Sequence, residues 1–310
     1  MTQSIKVYAP ATVANVACGF DVLGFALHEP GDELIMRFNT DRKVRITGIT
    51  GDEGKLSRDV NKNTAAAVVK AYLEHIGSDQ GVDIELHKKM PLGSGLGSSA
   101  ASAVAGLFAV NELMGTPLDK HQLLPFAMEG ERLACGSAHA DNVAPSLFGG
   151  FVLVRSYDPL DLIPIPTPKD RIATVIHPHI EVRTQDARSI LKKTIQLKDA
   201  ITQWGNIGGL IAGLITNDYG LIQRSLQDVI IEPVRSLLIP GFDQVKQAAL
   251  SQGALGCSIS GSGPSIFALS TSPATAGKIA EAMREALQQV NIDCDIYISP
   301  VNETGPRVMD

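Results

Sequence analysis

Cysteine is scarce in this chain of 310 residues, and the few cysteines are widely scattered. Cys18, Cys135, Cys257 and Cys294 show none of the short spacings that hold a metal ion. No group that would activate a thiol accompanies any of them, so we expect no catalytic cysteine. The pattern favours reduced, mostly buried thiols in a cytoplasmic protein.

Long apolar runs and clusters of one charge are also absent. No segment has 18 uninterrupted apolar residues, and the N-terminal stretch lacks the apolar core of a signal peptide. We therefore expect neither a membrane span nor secretion. The net charge is −6 and lysine and arginine form no run, which argues against a nucleic-acid surface. An anionic substrate must then be held by local groups.

Hydrophobic patterning divides the chain near its middle. The stretch Asp158–Asp170 has four prolines in thirteen residues, which is typical of a surface connection, and it predicts domains at 1–165 and 166–310. In the first domain, alternating apolar residues predict strands at Ile5–Tyr8, Glu33–Phe38, Val44–Ile49, Val82–Lys88 and Phe151–Ser156.

Helix signals occur three times between these strands. Asn63 is a candidate N-cap for a helix that ends near position 77. A second helix is expected from about Ser98 to Gly115. Thr116 is predicted to cap a third helix, with Asp119 completing its capping box.

The second half has a different order of elements, which together with the first half indicates an α+β protein. A strand, helices, two strands, a helix and a strand form the split-βαβ pattern of a ferredoxin-like sandwich. The predicted elements are a strand at Arg171–His177, helices within 184–227, a helix from Phe242, a hairpin at Leu255–Ser270, a helix from Pro273 and a strand at Asp293–Ser299.

A glycine-rich loop follows the strand predicted at 82–88. Its sequence is Pro91-Leu92-Gly93-Ser94-Gly95-Leu96-Gly97-Ser98-Ser99-Ala100-Ala101-Ser102. Three glycines permit positive φ and close approach of a ligand to the backbone. The helix behind the loop offers free N–H groups, and the serine hydroxyls can reach a phosphate or a metal ion. The run predicts a phosphate-binding loop; a tight turn without a ligand is the simpler alternative.

Two other phosphate motifs fit this loop less well. A Walker A loop ends in Gly-Lys-Ser/Thr, whereas this loop contains no lysine. The letters Gly95-x-Gly97-x-x-Ala100 match a Rossmann fingerprint for NAD. The context differs, because Pro91 separates the strand from the loop and the next element is another helix. NAD binding stays the second interpretation.

Three segments together resemble the GHMP kinases, the superfamily of galactokinase, homoserine kinase, mevalonate kinase and phosphomevalonate kinase. Val7–Asp21 resembles the first motif of that superfamily, Pro91–Ser102 the central motif and Gly256–Pro264 the third. The motifs occur in the family's order and spread over most of the chain. Within the superfamily, the chain is most similar to the homoserine kinases, on the segments Gly136–Pro145, Thr184–Arg188, Glu232–Arg235 and Pro240–Phe242.

The resemblance implies a fold, a reaction and its cofactors. It implies an N-terminal ribosomal-S5-like domain, which binds ATP, and a C-terminal ferredoxin-like domain, with a left-handed βαβ crossover around the glycine-rich loop. The implied reaction is the ATP- and Mg²⁺-dependent phosphorylation of the side-chain hydroxyl of L-homoserine to O-phospho-L-homoserine, a step of threonine biosynthesis. Family members are often homodimers, so a homodimer is also expected.

The resemblance also assigns the nucleotide and metal residues. Mg²⁺ would be bound by a loop serine, Ser98 or Ser99, and by Glu131, which by itself would be taken as a solvated helix-face carboxylate. Asn63 is expected beside the adenine, although a simple N-cap explains it equally well. The implied nucleotide-binding residues are Asn63, Pro91, Leu92, Gly93, Ser94, Gly95, Leu96, Gly97, Ser98, Ser99, Ala100 and Ala101.

An amino-acid acceptor needs groups for its carboxylate, ammonium and hydroxyl. The family positions for the carboxylate fall on Arg188 and Arg235, with Thr184 beside them, and arginine suits a carboxylate because it binds in a bidentate manner. The other pocket positions fall on Asn15, Asp21, His139, Asp141 and Asn142. Surface ion pairs, ordinary turn residues and a zinc site at the histidine are the simpler alternatives for these residues.

Catalysis is assigned to Asn142, Asp141 and Glu131. Some members of the superfamily have an aspartate base where this chain has Asn142, whose amide cannot take a proton. The resemblance therefore implies catalysis by positioning and charge stabilisation, with the proton going to the phosphate or through Asp141. The competing functions are another GHMP activity, such as a mevalonate-pathway kinase or decarboxylase, and a ligand-binding sensor without catalysis.

Overall fold

The structure is a computed structural model that describes residues 4–167 and 170–309. Runs of consecutive strands and runs of consecutive helices follow one another, which is an α+β order. The strands are β1 (Ser4–Ala14), β2 (Leu23–Asn39), β3 (Val44–Thr50), β4 (Gly81–His87), β5 (Phe151–Tyr157), β6 (Leu160–Ile165), β7 (Ile172–Pro178), β8 (Gly256–Ile259), β9 (Ile266–Ser270), β10 (Cys294–Pro300) and β11 (Arg307–Met309).

Ten helices connect these strands within the described residues. They are α1 (Thr64–His75), α2 (Ser98–Leu113), α3 (Lys120–Cys135), α4 (Ala140–Phe148), α5 (Thr184–Ser189), α6 (Leu197–Thr216), α7 (Tyr219–Ser225), α8 (Glu232–Arg235), α9 (Phe242–Ser251) and α10 (Pro273–Gln288). None of them, in the part of the chain that the structure describes, combines the length and apolarity that crossing a bilayer requires.

The first sheet is mixed and supports the glycine-rich loop. Its order is β11-β1-β2-β4-β3, with β5 paired to β2 and β6 paired to β5. All neighbours are antiparallel except β3 and β4, which are parallel and joined through α1. Helices α2 and α4 pack against β1 and β2, and α1 and α3 pack against α2. The apolar helix α2 is therefore buried at the centre of this domain, with its first residue at the end of the loop.

The second sheet is antiparallel, in the order β10-β7-β9-β8. Helices α9 and α10 pack on it, which gives the predicted ferredoxin-like arrangement. The two sheets are connected because β10 contacts β2 and the final strand, β11, returns to pair with β1. The handedness of the crossover around the loop and the division at 165/166 stay predictions.

Two local predictions are wrong. Thr116 does not cap α3; it has a positive φ of 58°, and the cap is Asp119, whose side chain accepts from the backbone N–H of Gln122 in a full capping box. The proline-rich stretch is also not wholly a connection. Its residues Leu160–Ile165 form β6, which pairs with β5, and Pro164 is tolerated because β6 is an edge strand in the described sheet.

Candidate active site

The three motif segments meet in one cleft. The backbone N–H of Thr12 in the first motif donates to the carbonyl of Leu96 in the loop at 3.0 Å. The third motif contacts both, because Ser260 Oγ donates to the carbonyl of Gly95 at 2.7 Å and the N–H of Gly261 donates to the carbonyl of Ala14 at 3.1 Å. Segments distant in the sequence therefore form a single concave site of about 450 Å³.

Most of the site residues expected from the sequence line this cleft. The exceptions are Pro91, Leu96, Ala100 and Ala101; the last three are fully buried in the packing behind the loop. The expected residues that line the cleft are Asn15, Asp21, Asn63, Leu92, Gly93, Ser94, Gly95, Gly97, Ser98, Ser99, Glu131, His139, Asp141, Asn142, Thr184, Arg188 and Arg235.

The glycines of the loop have the backbone geometry that was expected. Gly93, Gly95 and Gly97 all have positive φ, at 68°, 80° and 65°. A Cβ on Gly97 would lie 2.1 Å from Thr12 Oγ1, so this glycine is required for packing. A Cβ on Gly93 would meet nothing within 4 Å, so this glycine leaves the cleft open to a ligand.

The start of α2 is arranged as an anion site. Gly97 occupies the N-cap position and offers no side chain to the free N–H groups of the first turn. Ser98 Oγ and Ser94 Oγ are both buried and have no hydrogen-bond partner among the residues that the structure describes. Unpaired buried hydroxyls at the positive end of a helix dipole are suited to phosphate oxygens.

Glu131 joins this helix start to the end of α3. Its buried carboxylate accepts from Ser99 Oγ at 2.6 Å, and its other oxygen lies 3.4 Å from His139 Nδ1. The interpretation as a solvated surface carboxylate is therefore wrong for Glu131. It describes Glu129 instead, which is exposed and pairs with Arg132.

Asp141 and Asn142 lie in the first turn of α4. Asn142 Oδ1 accepts from Thr12 Oγ1 at 3.3 Å, which leaves its amide N–H groups for the cleft. Asp141 is fully buried, and its Oδ1 has no partner within the described part of the chain. Burial, and then the charge of Asp21, raise the pKa of Asp141 to about 7, against an opposing effect of His139.

A strained loop carries Asn15 and Asp21 into the cleft. Asn15, Val16 and Ala17 all have positive φ, which is costly for residues with a Cβ and typical of functional sites. Asn15 holds the turn, since its Nδ2 donates to the carbonyl of Gly261 at 2.7 Å and its Oδ1 accepts from the N–H of Asp21 at 3.0 Å.

The two arginines that line the cleft are held differently. Arg188 forms a bidentate pair with Asp21, at 2.7 and 3.1 Å. Arg235 is buried; its Nε donates to the carbonyl of Ala187 and its Nη1 to that of Gly261. Burial, followed by the charge of Arg188, lowers the pKa of Arg235 to about 10.

The remaining expected residues also have clear places. Thr184 Oγ1 lies 3.1 Å from Ser262 Oγ, so it contacts the loop of the third motif. Asn63 is the N-cap of α1, where its Oδ1 accepts from the N–H of Ala65, and its Nδ2 donates to the carbonyl of Ser57. The N-cap prediction is thus confirmed, while contact with an adenine stays a prediction.

A buried ion pair beneath the loop was not predicted from the sequence. Lys88 Nζ pairs with Asp32 and donates at 2.8 Å both to the carbonyl of Ser98 and to Ser102 Oγ. This cluster fixes the first turn of α2. The sequence does show a lysine, Lys88, at the end of a strand with alternating apolar residues. Its partner, Asp32, could not be identified from the sequence because it lies 56 positions away. Further cleft residues not singled out are Leu56, Lys62, Thr64, Leu133, Ala134 and Ser262.

The residues present fit a nucleotide and a magnesium ion. The metal candidates, Ser98, Ser99 and Glu131, supply only oxygen donors, which is what Mg²⁺ prefers. No group of three or more His, Cys, Asp or Glu side chains is arranged to hold a metal within residues 4–167 and 170–309. The set therefore suits a cation that completes its shell with phosphate oxygens and water.

Comparisons with known proteins agree with this geometry. Residues 63–150 match the family described as "GHMP kinases N terminal domain", and residues 210–289 match "GHMP kinases C terminal". A homoserine kinase from Chlorobium phaeobacteroides is 56% identical over 319 aligned residues, covering 99% of this chain and 100% of the relative.

Two solved structures, one of high and one of low sequence identity, have a similar fold. The crystal structure of a homoserine kinase from Cytophaga hutchinsonii is 64% identical, with a TM-score of 0.97, covering 100% of this chain and 98% of that one. A mevalonate kinase from L. major shares the fold at a TM-score of 0.75 but is only 17% identical, over 97% of each chain. The chain belongs to the homoserine kinases of the GHMP kinase superfamily.

Proposed function

We propose that this enzyme transfers the γ-phosphoryl group of ATP to the side-chain hydroxyl of L-homoserine, giving O-phospho-L-homoserine and ADP. One observation carries the proposal: a single cleft is lined both by an open helix start with unpaired serine hydroxyls and by two arginines. The helix start with its serine hydroxyls suits a triphosphate, and the arginine pair suits a small carboxylate. Asp141 and Asn142 line the same cleft, and the acceptor hydroxyl would be held beside them.

The nucleotide is proposed to bind along the loop and the start of α2. Gly93 leaves room for phosphate oxygens, and the N–H groups behind Gly97 face them. The purine would lie near Asn63, between Leu56 and Leu133, where apolar side chains line the cleft.

Magnesium is proposed to bind at Glu131 and a loop serine. Bound there, it would neutralise charge on the β- and γ-phosphate oxygens. Glu131 is prepared for this role because it is buried and fixed by Ser99 and His139. Ser98 Oγ, which has no partner in the described residues, is the other available oxygen.

The amino acid is proposed to bind between the arginines and α4. Arg235 is rigid, since two hydrogen bonds hold it and its guanidinium lies 4.9 Å from the ring centroid of Phe20. It would bind the carboxylate together with Arg188 and Thr184. Asp21, Asn15, His139 and Asp141 supply acceptors for the ammonium group, and the amide of Asn142 orients the hydroxyl.

Transfer is proposed to proceed by positioning, without a strong base. The hydroxyl oxygen forms the new bond to phosphorus while the bond to the ADP oxygen breaks, and the hydroxyl proton leaves on the transferred phosphate. Asn142 cannot accept this proton, and loose phosphoryl transfer needs little help from a base. Binding in one rigid cleft and charge stabilisation at the helix start supply the catalysis.

A coupled ADP-release assay tests the proposed reaction. Purified enzyme with ATP and Mg²⁺ is given homoserine, mevalonate, galactose, shikimate or 4-diphosphocytidyl-methylerythritol. We expect acceptor-dependent turnover with homoserine and a value of kcat/KM well below it for the others. Turnover with mevalonate but not with homoserine would mean that mevalonate is the substrate. The absence of any acceptor-dependent turnover would favour a ligand-binding sensor.

Two further parts of the proposal concern the state of the protein in the cell. A cytoplasmic location is supported by Cys18, Cys257 and Cys294, which are free thiols, as expected in a reducing compartment. A homodimer is proposed because the family resemblance implies it.

A further inference from the structure

A glutamine, Gln203, lies on the buried side of helix α6. The other buried residues of this helix are Ala200, Leu210, Gly213 and Leu214, none of which has a polar side chain. Burial of a side-chain amide is unfavourable unless hydrogen bonds replace those that it makes with water. An apolar residue would fill the same space without this requirement. The reason for a glutamine at this position must therefore lie in its contacts.

The amide of Gln203 makes hydrogen bonds in three directions. Its Nε2 donates to the carbonyl of Cys18 at 3.1 Å and to Asp228 Oδ1 at 2.9 Å. Its Oε1 accepts from the backbone N–H of Val229 at 3.1 Å. This orientation of the amide is the consistent one, because a backbone carbonyl can only accept and a backbone N–H can only donate. Both N–H groups of the amide are used, so the side chain is fixed between its partners.

One partner of Gln203 belongs to the strained loop of the first motif. Asn15, Val16 and Ala17 have positive φ, and Cys18 follows them directly. A φ of 41° at Val16 is costly for a β-branched residue, so the loop keeps this shape only where its surroundings hold it. The hydrogen bond from Gln203 to the carbonyl of Cys18 holds the end of the strained turn.

The other partner of Gln203 begins α8, the short helix that ends at Arg235. The carboxylate of Asp228 accepts from the backbone N–H groups of residues 230–232, at 2.9 to 3.0 Å. It therefore satisfies N–H groups that the start of a helix leaves without a partner. Gln203 donates to this same carboxylate. By fixing Asp228, Gln203 fixes the start of the helix that carries Arg235 into the cleft.

The strained loop and α8 also meet inside the cleft. Asn15 Nδ2 and Arg235 Nη1 both donate to the carbonyl of Gly261, at 2.7 and 3.0 Å. The two segments are thus joined at two points. One point is Gly261, which lines the cleft, and the other is the buried Gln203, which does not.

We propose that Gln203 is a positioning residue of the acceptor site, which holds the loop of Asn15 in register with Arg235 on α8. This inference rests on the proposed function, because the site that it concerns is the one proposed there for the amino acid. Gln203 acts on a bound acceptor only through the residues that it holds. Its hydrogen bonds within the described part of the chain do not reach the glycine-rich loop, so the nucleotide should bind independently of it.

The first test measures the KM values of the two substrates. Gln203→Met keeps the length of the side chain and removes all of its hydrogen bonds. The KM for homoserine should rise about 10- to 100-fold, as for a small misplacement of binding groups, while the KM for ATP should change little. Gln203→Glu places a carboxylate against that of Asp228 and should have the same effect. Far-UV circular dichroism checks that both variants fold.

The matched control for these variants is Asn206→Ala. Asn206 lies on the same helix, and its Nδ2 donates to the carbonyl of Gln227, next to Asp228, at 3.0 Å. It contacts the same segment without holding the cap of α8, so neither KM should change in Asn206→Ala. An equal rise of both KM values in the Gln203 variants, or no rise in the KM for homoserine, would overturn the proposal.

The second test asks whether Gln203 acts through Arg235. In enzyme that already carries Arg235→Ala, adding Gln203→Met should lower kcat/KM for homoserine by a much smaller factor than it does in the wild type. The reason is that one of the two groups that Gln203 positions is then absent. The same factor in both backgrounds would overturn the proposed link to Arg235.

The third test needs no substrate, so it separates this inference from the proposed reaction. Backbone hydrogen exchange of the ligand-free protein should be faster in Gln203→Met at residues 15–21 and 228–235 and unchanged at residues 93–99. Unchanged exchange in the first two segments, or an equal increase along the whole chain, would overturn the proposal. If the wild-type enzyme does not phosphorylate homoserine, the proposed reaction is wrong. The exchange measurement then still shows whether Gln203 joins the strained loop to α8.

Discussion

Ser99 Oγ donates to Glu131 Oε2 at 2.6 Å, and this contact joins the first turn of α2 to the last turns of α3. One residue belongs to the glycine-rich loop and the other lies 32 positions later. The contact brings two hard oxygen donors to the edge of the proposed phosphate site. It is the geometry expected if these residues together hold a divalent cation at the phosphates.

The first prediction separates Glu131 from its neighbour Glu129. Glu131→Gln should lower kcat by at least about 100-fold, because even outer partners of a metal site are worth roughly 10–100-fold. Glu129→Gln should be nearly neutral, since Glu129 is exposed and pairs only with Arg132 among the described contacts. Steady-state assays over a range of Mg²⁺ concentrations measure both. Equal behaviour of the two variants would remove Glu131 from the metal site.

The second prediction compares two glycines with the same backbone strain. Gly93 and Gly77 have φ of 68° and 64°, and a Cβ on either meets nothing within 4 Å. Each change to alanine should therefore cost about 1–2 kcal/mol of stability from the left-handed conformation. Only Gly93→Ala should also raise the KM for ATP, because its methyl group enters the cleft. If ATP kinetics are unchanged in Gly93→Ala, the loop does not approach phosphate at this residue.

Much of the fold was accessible from the sequence because its signals are local. The alternating residues of β4, the Asn63 cap and the hairpin of β8 and β9 appear where they were predicted. The Thr116 prediction was wrong because two capping residues compete within four positions, and only Asp119 has a glutamine three residues later to close the box. The strand β6 was missed because prolines hide the pattern of an edge strand.

Site residues could be predicted from the sequence only where they belong to a recognisable motif. The loop glycines and Glu131 were named from the sequence, and the structure places them in one cleft. Lys88 and Phe20 were not assigned roles, because their partners are distant in sequence: Asp32 for the lysine, and Arg235 for the ring. Spacing within a motif cannot show a contact made through the tertiary fold.

The third prediction concerns the buried pair of Lys88 and Asp32. Lys88→Met should reduce the free energy of unfolding by roughly 3–5 kcal/mol, because it leaves a buried carboxylate without its partner. Lys6→Met is the control; its pair with Glu33 is partly exposed and should be worth at most about 1 kcal/mol. Urea denaturation measures both. Adding Asp32→Asn to Lys88→Met should recover part of the lost stability. An equal loss of stability in Lys88→Met and Lys6→Met would contradict the prediction that the buried pair matters more.

The fourth prediction is a pH dependence caused by Asp141. Its pKa is about 7 in the folded chain and about 3.9 when unfolded, so the folded state holds the extra proton between these values. Its contribution to stability is therefore full below about pH 4 and is lost as the pH rises to about 7. Relative to Asp141→Asn, the ligand-free wild type should become progressively less stable over this range. Parallel pH–stability curves for the two proteins would show that Asp141 titrates normally.

The fifth prediction concerns the recognition of the amino acid. Removing one partner of a buried, hydrogen-bonded charge pair costs roughly 2–5 kcal/mol. Arg235→Ala should therefore raise the KM for homoserine by about 30-fold to several thousand-fold and change the KM for ATP little. Arg235→Lys should recover only part of the loss, because a point charge cannot bind a carboxylate in the bidentate manner.

The most direct measurement of the central claim compares L-homoserine with L-homoserinol, in which an alcohol replaces the carboxylate. Wild-type enzyme should show a much lower kcat/KM for homoserinol, and Arg235→Ala should discriminate far less between the two acceptors. Equal use of both acceptors by the wild-type enzyme would mean that the arginines do not bind a carboxylate. In that case the proposed homoserine site would be wrong, although the chain would still be a kinase.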